Sequence, residues 1–437
     1  MTTEQNPKKA MWLSLIPGLG QIYNKQKTKG YIFLAVTVLF LAYFLGIGAG
    51  ELAKLVTLGT VRGQDNSLFI LIRGAFHLII TIVYFLFYAL NIKDAGTVAK
   101  RINNGIAVPK TGKEMVQAIY ENGFPYLLII PSYIAMTFAI IFPVLVTLMI
   151  AFTNYDFKHT APTALLDWIG FQNFTNMWTL STFRSAFTSV LGWTLIWALA
   201  ASTLQIVLGI LTAIVANQPF VKGKRIFGVI FLLPWAVPAF ITILTFSNMF
   251  NDSVGAINAQ VIPLFAKIFP FLDGVLIPWK TDPTWTKIAL IMMQGWLGFP
   301  YLYVLTLGIL QSIPNDLYEA AYIDGANGWQ KFRSITFPMI MAVAAPTLIS
   351  QYTFNFNNFS IIYLFNDGGP GSVGGNAGST DILISWIYKL TTNTSPQYSI
   401  DNIELNASIF NGCCSYLDCL CDCNLNFYDC LQETTCI

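Results

Sequence analysis

Uncharged amides recur at helical spacing inside otherwise apolar stretches of this chain. Gln351, Asn355 and Asn358 follow an i, i+4, i+7 pattern, which returns to within about 20° of one helix face. Gln294, Gly298 and Tyr301 repeat the interval, and Trp235 with Ala239 begins a third stripe. Carboxamides both donate to and accept from hydroxyls, and aromatic rings take the apolar faces of sugars. Such stripes suit a neutral, hydroxyl-rich ligand. Amides also bond one helix to another within membranes, and spacing alone leaves both readings open. Covalent chemistry has no comparable support. The chain has two histidines, Gly112-Lys113 is followed by Glu114 rather than a phosphate-loop hydroxyl, and neither G-x-S-x-G nor H-E-x-x-H occurs.

A second segment carries charge. Tyr318-Glu319-Ala320-Ala321-Tyr322-Ile323-Asp324-Gly325-Ala326 reads as a short helix with a small-residue face and two acids. A glycine turn follows, then a basic helix through Lys331 and Arg333 that runs past Pro338 into the next apolar stretch. Small residues permit close approach, and a helix seated in a groove is a common recognition mode. A loop packed on its own helices would look similar.

The elements that must position these residues follow from composition. Apolar residues make up 55% and charged residues 11% of 437 positions, against roughly 25% charged in a soluble domain. The charges fall between apolar runs long enough to cross a bilayer. The reading is an all-α polytopic membrane protein with seven spans: Tyr31–Gly48, Leu68–Leu90, Tyr126–Phe152, Ala186–Ala216, Ile226–Phe250, Ile288–Leu310 and Thr336–Phe359. Pro131, Pro143, Pro234, Pro238, Pro300 and Pro346 lie inside them, as packing kinks or as bends beside a pathway. A net charge of +2 with no basic aromatic patch does not point to nucleic acid. With the N-terminus in the cytoplasm, 15 lysines and arginines face inward and 8 outward, so that orientation is expected. It makes Gln311–Ile335 cytoplasmic. Lys8, Lys9 and the apolar stretch Ala10–Leu19 imitate a signal peptide, but Pro17, Gly18 and Gly20 interrupt it. It reads as a short interfacial or re-entrant segment. Arg73 and His77 share a face within the second span; a proton relay and a snorkelling arginine are the two readings.

The string E-A-A-x-x-x-G from Glu319 to Gly325, followed by I-x-x-P ending at Pro338, resembles the coupling-helix signature of ABC importer permeases. With Leu233-Pro234-Trp235-Ala236-Val237-Pro238, Gly295-Trp296-Leu297-Gly298-Phe299-Pro300-Tyr301 and Phe354-Asn355-Phe356-Asn357-Asn358-Phe359, the chain is similar to the larger permease subunit of maltose/maltodextrin importers, the MalF type. The match is close from about Tyr126 to Ser399. The resemblance implies the type I permease fold and a transport subunit rather than an enzyme, forming half of a sugar pathway in the bacterial cell membrane. Its partners would be a second permease subunit, two ATPase subunits that hold ATP and magnesium, and an extracytoplasmic sugar-binding protein. No cofactor or metal is expected on this chain. Sugar contacts are implied at Trp235, Ala239, Gln294, Leu297, Gly298, Tyr301, Gln351, Phe354, Asn355 and Asn358. Coupling to the ATPase is implied at Glu319, Ala320, Ala321, Asp324, Gly325 and Pro338. An ion-coupled secondary transporter is the alternative class, against which no acid lies clearly inside a span.

Two features depart from the family. The outer segment Asn154–Arg184 is short, and the family's eighth helix is missing after Ser399. All seven cysteines lie between Cys413 and Cys436, and Asp401–Ile437 holds six acids and no base. The expected organisation is an N-terminal part, 1–125, with two spans, a permease core, 126–399, with its coupling loop at 314–338, and an atypical tail, 400–437, that reads as a change of frame near Ser399.

Overall fold

A computed structural model describes residues 5–155, 159, 164–218 and 220–392. The cysteine-rich tail lies outside the described residues. The chain divides into two compact units, the first ending at Phe174 and the second beginning at Thr175, a boundary that falls inside the 126–399 segment.

In the first unit, two short helices, α1 (Pro7–Leu13) and α2 (Leu19–Tyr23), precede three long ones. These are α3 (Lys27–Thr57), α4 (Ser67–Asn103) and α5 (Phe124–Ile150), each long and apolar enough to span a bilayer. Asn66 caps α4 by accepting from the amides of Leu68 and Phe69, which satisfies donors that a helix start leaves open. Leu55, Leu71, Ala75, Val146 and Ile150 bring the three spans together in a buried core. The Tyr43 hydroxyl and His77 Nδ1 are hydrogen-bonded across α3 and α4, while the Arg73 side chain is exposed.

In the second unit the spanning helices are α6 (Ser181–Asn217), α9 (Pro283–Ser312) and α11 (Gly328–Phe356). The expected span Ile226–Phe250 is instead two helices, α7 (Lys224–Ala236) and α8 (Ala239–Met249), set at 90°. Proline at 238 has no amide to donate and pushes the residue before it out of helical geometry. Val237 is accordingly extended, at φ −116° and ψ 136°. Between α9 and α11 lies the short α10 (Asn315–Ile323). After α11 come α12 (Phe359–Asn366), a small hairpin of β1 (Ser372–Gly374) and β2 (Ala377–Gly378), and α13 (Leu383–Thr392).

Elsewhere prolines are absorbed rather than allowed to break a helix. Pro125, Pro143, Pro263 and Pro338 each follow a widened, π-type turn, at 119–123, 137–141, 257–261 and 332–336. A wider turn moves the preceding carbonyls away from the ring, which would otherwise clash with them. Pro338 thereby sits near the start of a continuous spanning stretch.

Close helix approach in the second unit depends on glycine. A β-carbon on Gly209 would lie 2.5 Å from Leu302 Cβ, and one on Gly295 would lie 2.7 Å from Leu204 Cδ2. These positions bring α6 and α9 nearly into backbone contact, as small residues do in membranes. Two buried clusters result. One, around Trp193, Trp197, Trp279, Met293 and Phe365, lies toward the start of α9. The other, around Ala213, Phe299, Leu302, Ile309 and Ile340, lies toward its end.

Candidate functional site

Between these two clusters, at the middle of α9, the second unit encloses a cavity of about 710 Å3. The α7–α8 elbow contributes Trp235 and Ala239, α9 contributes Gln294, Leu297, Gly298 and Tyr301, and α11 contributes Gln351 and Phe354, with Asn358 just beyond its end. Trp235, one residue before the end of α7, lies beside Tyr301 of α9. Their ring centroids are 6.0 Å apart, and Trp235 remains 52% and Tyr301 39% exposed. They form an open aromatic wall.

A chain of carboxamides also borders the cavity. Asn358 Nδ2 donates to Gln294 Oε1 at 3.2 Å, and Gln294 Nε2 donates to Gln205 Oε1 at 3.3 Å. Gln205 Nε2 in turn donates to Gln351 Oε1 at 3.1 Å. Three helices are thus linked through their amides, all with one donor direction. Neither Asp, Glu, His, Lys nor Arg lines the cavity, so no fixed charge greets a ligand there.

Asn355 is placed differently from its neighbours. It is fully buried, and its Nδ2 donates to Ser202 Oγ at 2.8 Å while its backbone carbonyl accepts from Trp197 Nε1 at 2.9 Å. It therefore fixes α11 to α6 behind the cavity rather than lining it. The stripe divides because α11 ends at Phe356, and the turn after it swings Asn358 back to the cavity. The Asn355 Oδ1 has no partner among the described residues.

Gln205 is the lining residue that stripe reasoning passes over. It is the central amide of the relay, yet its neighbours at helical spacing are only small hydroxyls, Ser202 at i−3 and Thr212 at i+7, rather than amides or aromatic rings. A solitary buried amide is itself a signal, since unpaired it is costly in hydrocarbon. Pro234, Val237, Pro238 and Ser350 also line the cavity.

The acidic segment forms a separate surface. α10 ends at Ile323, and Gly325 turns the chain with φ +74°. Asn327 then opens α11 through a reciprocal cap, its side chain and backbone amide paired with Gln330. The Tyr318 hydroxyl lies 2.9 Å from Thr336 Oγ1 and pins α10 to α11. Glu319, Ala320, Asp324 and Gly325 are exposed, Ala321 is half-buried, and Pro338 is exposed within α11. Glu319 borders a shallow groove of about 320 Å3 with Asn315, Tyr318, Tyr322 and Ile323.

The family of binding-protein-dependent transport system inner membrane components matches residues 205–410, a stretch that holds both the cavity and α10. The maltodextrin transport system permease protein MalC of Streptococcus pneumoniae is 81% identical over 397 residues, 91% of each chain. The chain belongs to this family. The permease is also 60% identical to the maltodextrin permease protein MdxF of Bacillus subtilis, over 91% of this chain and 92% of that one. A galactooligosaccharides permease protein of the same organism, GanP, is 49% identical over 91% and 93%. As a permease, the chain is a multi-pass membrane subunit for transport and not an enzyme.

Proposed function

We propose that this permease imports maltodextrin, with the α7–α9–α11 cavity as the sugar site. The uncharged cavity carries the reading: its lining combines an aromatic pair with a carboxamide relay. Hydroxyls can bond the amides in both directions, and apolar sugar faces stack on Trp235 and Tyr301. The names of two similar relatives, MalC and MdxF, supply the sugar class. GanP favours a second reading within the same chemistry, a galacto-oligosaccharide, since nothing in the relay distinguishes one neutral hexose chain from another.

In this reading the N-terminus is cytoplasmic, so α10 faces the cytoplasm. Glu319, Ala320, Ala321, Asp324 and Gly325 dock on one of two ATPase subunits, which hold ATP and magnesium, while Pro338 shapes the helix that carries the motion onward. A second permease subunit completes the pathway, and an extracytoplasmic binding protein delivers the sugar. The test is uptake of radiolabelled sugars by the assembled transporter across a panel of maltodextrins and galacto-oligosaccharides. ATP-dependent uptake of maltodextrins is expected. Uptake that follows an ion gradient without ATP would overturn the class, and selective galacto-oligosaccharide uptake would replace the substrate.

A further inference from the structure

We propose that the α1–α2 hairpin is a lipid anchor that lies in one leaflet and selects anionic headgroups. The proposal is independent of which sugar is carried. Its two helices have seven and five residues, far short of the roughly 20 needed to cross a bilayer. Yet the hairpin presents a contiguous apolar face to its surroundings: Met11, Trp12, Leu15 and Ile16, with Trp12 74% and Ile16 58% exposed.

Hydrogen bonds to α4 fix the depth of that face. The Tyr88 hydroxyl donates to the Leu15 carbonyl at 2.9 Å, and Asn91 Nδ2 donates to the Ser14 carbonyl at 2.9 Å. Tyr88 lies in the last turn of the apolar run that ends at Leu90, and Asn91 is the first polar residue after it. Leu15 and Ile16 are therefore held at the level where hydrocarbon gives way to headgroups. Tryptophan and tyrosine favour that level.

The hairpin cannot simply fold its apolar face away. Gln21 Nε2 donates to the Asn91 carbonyl at 3.0 Å, and Asn24 Nδ2 donates to the Ala95 carbonyl at 2.8 Å. Gly18 and Gly20 leave no room for a β-carbon, which would lie 2.1 Å from the Gly30 carbonyl oxygen and 2.0 Å from Ser14 Oγ respectively. A polar, glycine-packed underside thus locks an apolar upper face in position.

Charge identifies the lipid. No acid occurs between Gln5 and Gly30, whereas Lys8, Lys9, Lys25 and Lys27 are exposed there. Lys29 differs, since its Nζ is paired with Asp94 at 2.7 Å. Basic side chains flanking an interfacial apolar face attract anionic lipid.

The test uses the full chain reconstituted in bilayers with bromine placed at defined acyl depths, with and without phosphatidylglycerol. The emission of Trp12 is read as the difference between the unaltered chain and Trp12→Phe. Bromine near the headgroup should quench that component at least twofold more than bromine at the chain end. Changing Lys8, Lys9, Lys25 and Lys27 together to glutamine should lower retention of phosphatidylglycerol over phosphatidylcholine severalfold. If that variant fails to insert, raising salt on the unaltered chain reads the same charges, and the preference should fall. An unquenched Trp12, a lipid preference indifferent to both the lysines and salt, or loss of quenching when ATPase subunits are added would overturn the proposal, the last by giving the face to a protein.

Discussion

The carboxamide oxygen of Gln205 stands 1.7 Å from the point where a β-carbon on Gly298 would lie. Glycine at 298 therefore makes room for the central amide of the relay, and the two residues form one device on two helices. Gly298→Ala is expected to expel the Gln205 amide and break its bonds to Gln294 and Gln351. Two hydrogen bonds at about 1 kcal/mol each predict a roughly tenfold or larger rise in the sugar concentration for half-maximal uptake. Gln205→Ala should lose a similar amount, and the double variant little more than either, because both remove the same contacts. Fully additive losses in radiolabelled uptake would separate the two residues.

Trp235 and Tyr301 supply the aromatic part of the lining. Trp235→Ala removes a stacking surface worth about 0.5–1.5 kcal/mol, so apparent sugar affinity should fall by a few-fold to about tenfold. Trp235→Tyr, which keeps a ring, should retain most of it. Equal losses in the two variants would mean that the indole fills space and does not stack on the ligand.

Much of this arrangement was legible before any coordinates. Lengths of apolar runs located the spans, and i, i+4, i+7 spacing picked out Gln294, Gly298 and Tyr301, which do share a cavity. Periodicity failed where a helix stopped being one. The i, i+4, i+7 rule assumes that Gln351 through Asn358 is continuous, but α11 ends at Phe356, so Asn355 and Asn358 diverge. The run Ile226–Phe250 is apolar throughout, and hydropathy cannot distinguish a straight span from one bent at Pro238. Gln205 was hidden for a different reason: its partners are distant in sequence, and only packing against Gly298 reveals why it is there.

Gly325 lies at φ +74°, and proline is confined near −65°. Gly325→Pro should therefore misdirect the turn between α10 and α11 without touching the spans. Under the coupling reading, ATP hydrolysed per sugar transported should rise several-fold while membrane insertion is kept. A bulky residue at Ala321, as in Ala321→Trp, should act in the same direction by blocking close docking. Unchanged stoichiometry in both variants, measured in proteoliposomes, would reduce the segment to a packed loop.

Beyond the cavity, Lys389 Nζ and Asp381 Oδ2 form an ion pair at 2.8 Å, with the aspartate side chain fully buried. Asp381 also accepts from the Gly378 amide and Ser385 Oγ, so the pair closes the glycine-rich segment between α12 and α13. Burial pushes the Asp381 carboxyl above its usual range, although Lys389 and these donors oppose the shift. A carboxyl raised on folding binds its proton more tightly in the folded state. Its contribution to stability is full below the unfolded value and is lost as pH rises through the folded one. Removing the counter-charge widens that window. Lys389→Met should thus destabilise the permease at neutral pH by about 3–5 kcal/mol, the usual cost of a buried charge left alone, and regain part of it on acidification, as the raised carboxyl takes up its proton. Asp381→Asn combined with Lys389→Met should lose less and show no such recovery. The measurement is the unfolding midpoint in detergent at neutral and at acidic pH, and a Lys389→Met midpoint that does not recover relative to the double variant on acidification would show that the buried carboxylate is not what limits the fold there.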